Sequence, residues 1–247
     1  MLSAVHYKLS RVKLLHLLNE LKNNSINVVS LYVPAGSPRV KAEDMMKTIL
    51  DLNIVPGELS SYMGDSPTGA ILFWGPGCRY LVIPPFPMNE ARTSNTCDIE
   101  PLQAVLRQPL LFGLVLIRLG AYAIGVVKGQ NLCSSKVGTG LVHARHRQGG
   151  SSAHRFERHR EKQIETYFTR VCGHVREQLE PIEKQLEFLF YGGTRDTLLQ
   201  FRKQCQFMRQ FDERTLDILL NIRQPRQSGL QEAIQEAWSS RIIQWKE

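Results

Sequence analysis

The longest apolar stretch of the sequence, residues 110–127, constrains the fold most strongly. It carries Arg118 near its centre and is interrupted by three glycines. A membrane-spanning helix needs about 20 consecutive apolar residues, and a charge at its midpoint is costly. We therefore expect two buried strands, at about 111–119 and 121–128, followed by a third at about 130–136.

The rest of the chain alternates between helical and extended patterns. Gly75-Pro76-Gly77 between two apolar runs predicts a hairpin over 69–87. A helix is predicted over 8–23 from four apolar residues spaced three apart: Val12, Leu15, Leu18 and Leu21. Further strands are predicted at 27–34, 186–193 and 215–222, and further helices at 41–53, 194–205 and 229–245. A long helix is predicted over 153–180, because its apolar residues hold the spacing of one helical face: Phe156, Ile164, Tyr167, Val171 and Val175. Strands followed by alternating helices and strands predict a mixed α/β fold built in layers.

The polar segment 88–101 is the best candidate for a domain boundary. A chain of 247 residues is long for a single core and sufficient for two modest domains. We predict a small N-terminal α/β domain over residues 1–100. A second α/β domain then covers residues 101–247 and contains the long helix predicted at 153–180.

The five cysteines are an odd number, widely spaced, and form no C-x-x-C motif. This argues against a disulfide scaffold or a structural zinc site and suits a reducing compartment. The first thirteen residues lack the apolar core and cleavage site of a signal peptide. We therefore expect a cytoplasmic location and no association with a membrane.

The positive charge of the chain is concentrated around Gly149 and Gly150. The formal net charge is +8, and residues 136–162 contain seven Lys or Arg, four of the seven histidines and two acidic residues. Cations next to a flexible glycine pair suit contact with phosphates, although a solvated helix face beside a loop is the simpler alternative. The candidate RNA-binding residues are Lys136, His143, Arg145, His146, Arg147, Arg155, Arg158, His159, Arg160 and Lys162.

Several other chemistries do not fit this segment. The sequence contains no GxxxxGK[ST] motif, and the glycine pair is not part of GxGxxG, so no nucleotide cofactor is expected. Ser151 or Ser152 as a nucleophile lacks the G-x-S-x-G elbow and an orienting acid, and a helix cap is the simpler role. A two-metal nuclease needs converging carboxylates, and residues 101–156 contain no Asp or Glu. Metal binding stays an alternative for four histidines, but without Cys or carboxylate partners contact with phosphate is the favoured role: His143, His146, His154 and His159.

Residues 147–162, RQGGSSAHRFERHREK, resemble the loop and helix of the middle domain of eukaryotic and archaeal class I release factors. The pattern there is GGQSA-x-RF, and the matching residues are Gly149, Gly150, Ser152, Ala153, Arg155 and Phe156. The segment is more similar to the Vms-type branch, the tRNA hydrolases of ribosome-associated quality control and their prokaryotic relatives, whose loop reads G-x-x-Q. The segments YLVIPPFP, GLQEAIQEAW and NVVSLYVP, and the strands from Phe112 onward, are also similar to these families.

The resemblance implies a compact prokaryotic form whose second domain has the RNase H-like α/β layers of the release-factor middle domain. It implies a codon-independent hydrolase that cleaves the ester between a stalled nascent chain and its tRNA on the large ribosomal subunit. The partners would be rRNA of the peptidyl transferase centre and peptidyl-tRNA, in the cytoplasm, with no cofactor and no metal. The implied catalytic loop is 147–153, with Gln148, Gly149, Gly150, Ser151, Ser152 and Ala153.

The loop departs from the family pattern at the catalytic glutamine. Counting G-x-x-Q from Gly150 places it at Ala153, and counting GGQ from Gly149 places it at Ser151. Three explanations stay open: an inactivated form with alanine substituted for glutamine, a natural binding factor that has lost hydrolysis, or replacement by Gln148 through rearrangement. We favour the first, because the alanine stands where G-x-x-Q places its glutamine.

Overall fold

The computed structural model describes residues 3–24, 27–51, 56–142 and 153–246. The chain forms two compact units, one of Met1–Gln108 together with Trp238–Glu247 and one of Pro109–Ala237. The strands are β1 (Ser3–Leu9), β2 (Val29–Val33), β3 (Ala70–Gly75), β4 (Cys78–Ile83), β5 (Arg92–Ser94), β6 (Leu111–Arg118), β7 (Ala121–Lys128), β8 (Asn131–Thr139), β9 (Phe188–Gly193), β10 (Thr215–Leu220) and β11 (Ser240–Lys246). The α-helices are α1 (Arg11–Asn24), α2 (Arg39–Lys47), α3 (Leu59–Met63), α4 (Glu100–Arg107), α5 (Ala153–Leu179), α6 (Arg195–Gln204) and α7 (Gln227–Ala237).

The first unit is a six-stranded antiparallel sheet covered on both faces. Its strand order is β1-β11-β4-β3-β2-β5. Leucines of α1 and α4 pack into the core on one face, and residues of α2 and α3 pack into the core on the other. Adjacent residues of β11 lie on opposite faces of the sheet: Ile242 packs into the first core and Ile243 into the second. This is the alternation expected of a strand buried on both faces.

The second unit is a five-stranded mixed sheet in the order β10-β9-β6-β7-β8. Strands β6, β7 and β8 form an antiparallel meander, and β9 and β10 follow in parallel to β6. Helices α5 and α6 and a 3₁₀ helix at Gln206–Arg214 cover one face and form the main core with it. On the other face, Leu230 of α7 packs over Gly125 of β7.

The mixed α/β fold predicted from the sequence is confirmed in both units. The hairpin at 69–87, the three strands after residue 110 and the long helix after the glycine loop all form close to their predicted positions. The prediction of one helix over 229–245 is wrong, because α7 ends at Ala237 and the following residues form β11. Strand β1 was not predicted.

The compact units differ from the expected division at residue 100. Helix α4 packs Leu102 and Leu106 into the core that α1 forms, so the first unit continues to Gln108. Strand β11 lies between β1 and β4, and residues 238–247 therefore return to the first unit. The sequence pattern carries no sign of this return, because it depends on pairing between distant strands.

The cysteine pattern also needs a correction, because the structure contains a disulfide. Cys172 in α5 is bonded to Cys205, which directly follows α6. The two residues are 33 positions apart in the sequence and meet because both helices pack on the same face of the second sheet. The cysteines of the described residues that lie outside this disulfide are Cys78, Cys97 and Cys133.

Candidate functional site

Helix α5 presents the predicted cations and begins at Ala153, directly after the glycine loop. Tyr167 is its first buried side chain, and the buried residues that follow it pack into the core at helical spacing: Phe168, Val171, Val175 and Leu179. Ile164, one turn earlier, is half-buried and packs against the same core, whereas the side chains of residues 155–159 are exposed. About 16 Å of helix therefore precedes the first core contact, at Ile164.

The exposed first turns of α5 carry the cations that were predicted to bind RNA. Arg155, Arg158, His159 and Lys162 are exposed, and Arg160 is partly exposed. Phe156 was expected on the core face, but 52% of its surface is exposed to solvent. An exposed aromatic ring among cations is a common feature of surfaces that bind single-stranded nucleic acid.

Lys136 lies apart from the cations at the start of α5. It is exposed on the edge strand β8, close enough to Glu177 in the last turns of α5 to affect its ionisation. A hydrogen bond from His174 lowers the pKa of Glu177, and the charge of Lys136 contributes to the same shift. Because Glu177 lies about 33 Å along the helix from Arg155, the structure does not bring Lys136 into one cluster with the first turns.

The end of β8, where the chain enters the loop, is clamped against α5. The guanidinium of Arg170 donates a hydrogen bond of 2.7 Å to the carbonyl oxygen of Thr139. The hydroxyl of Tyr167 donates one of 2.8 Å to the carbonyl oxygen of Arg118, at the end of β6. Burial raises the pKa of Tyr167 well above its usual range, so its hydroxyl remains a neutral donor.

Gly140 allows this close approach to α5, and Gly138 allows a close approach of β8 to a side chain of β7. A Cβ atom at Gly138 would lie 2.3 Å from the hydroxyl oxygen of Tyr122, and one at Gly140 would lie 2.4 Å from the ring of Tyr167. A side chain at Gly140 would therefore displace Tyr167 of α5, and one at Gly138 would displace the Tyr122 side chain of β7. Sequence reasoning missed Tyr167 and Arg170 as site residues, and no local pattern marks them, because their partners Arg118 and Thr139 are distant in the sequence.

The predicted loop itself lies outside the described residues. This applies to His143, Arg145, His146, Arg147, Gln148, Gly149, Gly150, Ser151 and Ser152. Across the described ranges, no group of three or more His, Cys, Asp or Glu residues could hold a metal ion. None of the helices described is both long and apolar enough to cross a membrane.

Comparison with known proteins identifies relatives among the release factors. The chain is 25% identical over 250 residues to "Peptide chain release factor subunit 1" of Thermococcus sibiricus, covering 89% of this chain and 60% of that protein. It is 28% identical over 153 residues to the protein of the same name in Archaeoglobus fulgidus, covering 62% of this chain and 37% of that protein. The chain thus spans at most about three fifths of the length of these two relatives.

A solved structure and a protein family also match. The archaeal translation termination factor aRF1 is similar with 21% sequence identity and a TM-score of 0.43, over 93% of this chain and 70% of that one. The family model described as "Actinobacteria/chloroflexi VLRF1 release factor" matches residues 111–243, more than half of the chain. The family resemblance identified from the loop is thereby confirmed: the chain belongs to the VLRF1 release factor family.

Proposed function

We propose that this chain has the architecture of a codon-independent peptidyl-tRNA hydrolase that releases stalled nascent chains on the large ribosomal subunit, with a loop that lacks the catalytic glutamine. The observation that carries the proposal is the junction at Ala153. A glycine-containing loop runs directly into a helix with exposed cations, in a member of a release factor family.

The physical requirements of such a function fit the described part of this junction. A loop that reaches an ester buried in rRNA must be narrow, and the cations next to it must neutralise the phosphates along its path. The start of α5 satisfies the second requirement with Arg155, Arg158 and Lys162, all exposed. Gly149 and Gly150 have no side chains, which suits the first requirement.

Ala153 determines what chemistry this loop can perform. Hydrolysis of the ester needs a water molecule positioned against the carbonyl carbon, after which the tRNA hydroxyl leaves and the peptide carboxylate is released. A glutamine amide can hold that water by hydrogen bonds, whereas a methyl group can neither donate nor accept one. The chain is therefore expected to retain binding to ribosomal RNA and peptidyl-tRNA and to hydrolyse the ester slowly.

A binding factor without hydrolytic activity is the second candidate, and the same residue favours it. If the family's glutamine is absent from the natural protein, binding of the large subunit in ribosome-associated quality control would be the whole activity. Both candidates place the protein on ribosomes in the cytoplasm. They differ in one respect: a glutamine at position 153 would restore ester hydrolysis to the first candidate but not to the second.

The test loads large ribosomal subunits with radiolabelled peptidyl-tRNA and measures the released peptide. The chain is compared with Ala153→Gln and with Ala153→Glu, which has the same length without the amide. We expect all three proteins to co-sediment with the subunits, and only Ala153→Gln to release peptide above the background rate.

The outcomes separate the candidates. Release by Ala153→Gln alone supports a hydrolase scaffold with an inactive loop. Co-sedimentation of all three without release by any would reject the hydrolase and leave the binding factor. Release by the unmodified chain would show that another group, such as Gln148, positions the water. Failure to co-sediment at moderate salt would reject both candidates.

A further inference from the structure

A cavity of about 320 Å³ lies on α5 where the chain leaves β8. This size is at the lower end of the range of about 300–1,000 Å³ that is typical of small-ligand sites. Its lining residues come from α5, except for one residue that follows β8. They are Leu141, His159, Lys162, Gln163, Thr166, Tyr167 and Arg170.

The polar residues of the cavity form a row on α5. His159, Lys162, Thr166 and Arg170 follow one another at three- and four-residue spacing, which places them on one side of a helix. No carboxylate lines the cavity among the described residues. Lys162 and Arg170 therefore give it a positive charge without a local acidic partner, as a site for an anion requires.

Arg170 is held in position before any ligand arrives. Its hydrogen bond to the carbonyl oxygen of Thr139 uses one of the five guanidinium N–H groups and leaves others to point elsewhere. The Tyr167 ring beside it is fixed by the hydrogen bond to Arg118. A cation with a fixed fork loses less conformational entropy on binding a phosphate than a mobile lysine does.

The remaining lining suits the sugar and base of a nucleotide. The Thr166 hydroxyl donates to the carbonyl oxygen of Lys162, so its oxygen lone pairs can accept a hydrogen bond from a ribose hydroxyl. Leu141 is 74% exposed and provides an apolar wall at the mouth of the cavity. Phosphate, ribose and base thus each have a matching group.

We propose that this cavity binds one nucleotide of single-stranded RNA, with its phosphate on Lys162 and Arg170. The inference rests on the proposed function in naming RNA as the ligand, and it extends the RNA-binding surface from the predicted segment to Arg170. The cavity anchors the RNA at the base of the loop, on the residue that also holds Thr139.

The test measures binding of a fluorescent ten-nucleotide oligouridine by anisotropy, at several salt concentrations. The variants are Arg170→Ala, Lys162→Ala and the control Arg209→Ala, which removes the same charge from an exposed position outside the cavity. We expect the two cavity variants to bind about tenfold more weakly and to lower the salt slope by about 0.7. The control should change affinity less than about twofold.

A second measurement tests whether the cavity residues bind RNA or only stabilise the fold. It also distinguishes a site for one nucleotide from general attraction between the cations and RNA. Uridine 5′-monophosphate and uridine are titrated into the ¹⁵N-labelled chain, and backbone amide shifts are followed. The site is supported if the monophosphate, but not uridine, shifts the amides of Leu141, Lys162 and Arg170. These shifts should be lost in Lys162→Ala, while the melting temperature of that variant stays unchanged. Oligouridine binding without shifts from the monophosphate would overturn the assignment of the cavity to a single nucleotide.

Equal loss of oligouridine affinity in all three variants would overturn the inference, because the effect would then be one of net charge. The same holds if neither cavity variant weakens binding. Because the probe is naked RNA, these results do not depend on peptide release. A chain that fails in the ribosome assay can still bind the oligonucleotide here. A chain that binds ribosomes but shows no effect of the cavity variants on oligouridine binding rejects only the cavity.

Discussion

Tyr167 and Arg118 are joined by a hydrogen bond of 2.8 Å from the phenol hydroxyl to the carbonyl oxygen. This bond connects the first buried residue of α5 to the end of β6, and the Arg170 bond to Thr139 connects the next turn to the end of β8. The exposed start of α5 is thereby fixed relative to the strand that enters the loop. The geometry of the candidate site depends on these two bonds.

The first prediction concerns the Tyr167 hydroxyl. Tyr167→Phe leaves the Arg118 carbonyl, in a partly buried position, without this donor, which should lower the free energy of unfolding of the second unit by about 0.5–1.5 kcal/mol. Tyr122→Phe is the control, since the neighbouring Tyr122 hydroxyl makes no hydrogen bond within the described residues. Urea denaturation of both variants provides the comparison, and equal stabilities would contradict a role for the bond.

The second prediction uses two glycines with opposite surroundings. Gly140→Ala places a methyl group within 2.5 Å of both Tyr167 and Arg170, so the end of β8 must move away from α5 and stability should fall. Gly173→Ala adds the same atom to a position of α5 with nothing within 4 Å. Because alanine favours helices over glycine, it should stabilise by about 0.5–1 kcal/mol. Thermal unfolding that gave both changes the same sign would show that the close packing is incorrect.

The third prediction separates the cations of α5 from Lys136. Replacing Arg155 or Arg158 by alanine should weaken co-sedimentation with large subunits and reduce its salt slope by about 0.7 for each phosphate that is no longer neutralised. Lys136→Ala should have a smaller effect, because Lys136 lies near Glu177 rather than near the first turns of α5. A larger effect at Lys136 would place the RNA along β8 instead.

The fourth prediction concerns the cysteines. Burial raises the pKa of the Cys97 thiol to about 11, so only about one thiol in a thousand is ionised at pH 8. Iodoacetamide at pH 8 should label exposed Cys133 first and Cys97 slowly, with Cys97 labelling rising as the pH approaches 11. In denaturant, mass spectrometry should find three labels without reductant and five with it, given the bond between Cys172 and Cys205. Five labels without reductant would contradict the disulfide.

Local patterns were sufficient to predict most elements because their cause is local. The hairpin at 69–87 depends on Gly75-Pro76-Gly77, and the long helix depends on the spacing of Tyr167, Val171 and Val175, all of which pack as predicted. The buried face of helix α1 differs from the predicted one. Val12 is 68% exposed, and Leu14 takes the core position beside Leu18 in α1.

The elements that were missed depend on long-range pairing. Ile242 and Ile243 fit a helical pattern as well as a strand, and only the partners of β11 in β1 and β4 decide between the two. Ser239-Ser240 after Trp238 was the one local sign of a break. The candidate site was missed in the same way: Arg170 gains its role from Thr139, across the loop, and no spacing in the sequence joins them.

The position of β11 has a consequence for the order in which the protein folds during synthesis. Every strand of the second unit leaves the ribosome before residue 240, so that sheet can assemble from a continuous piece of chain. The sheet of the first unit is completed later, because β11, which joins β1 to β4, is formed by Ser240–Lys246. Among the strands of the described ranges, β1 is translated first, yet its pairing with β11 can form only after Ser240–Lys246 has been made. The backbone of β1 is therefore without this partner during the synthesis of the residues in between.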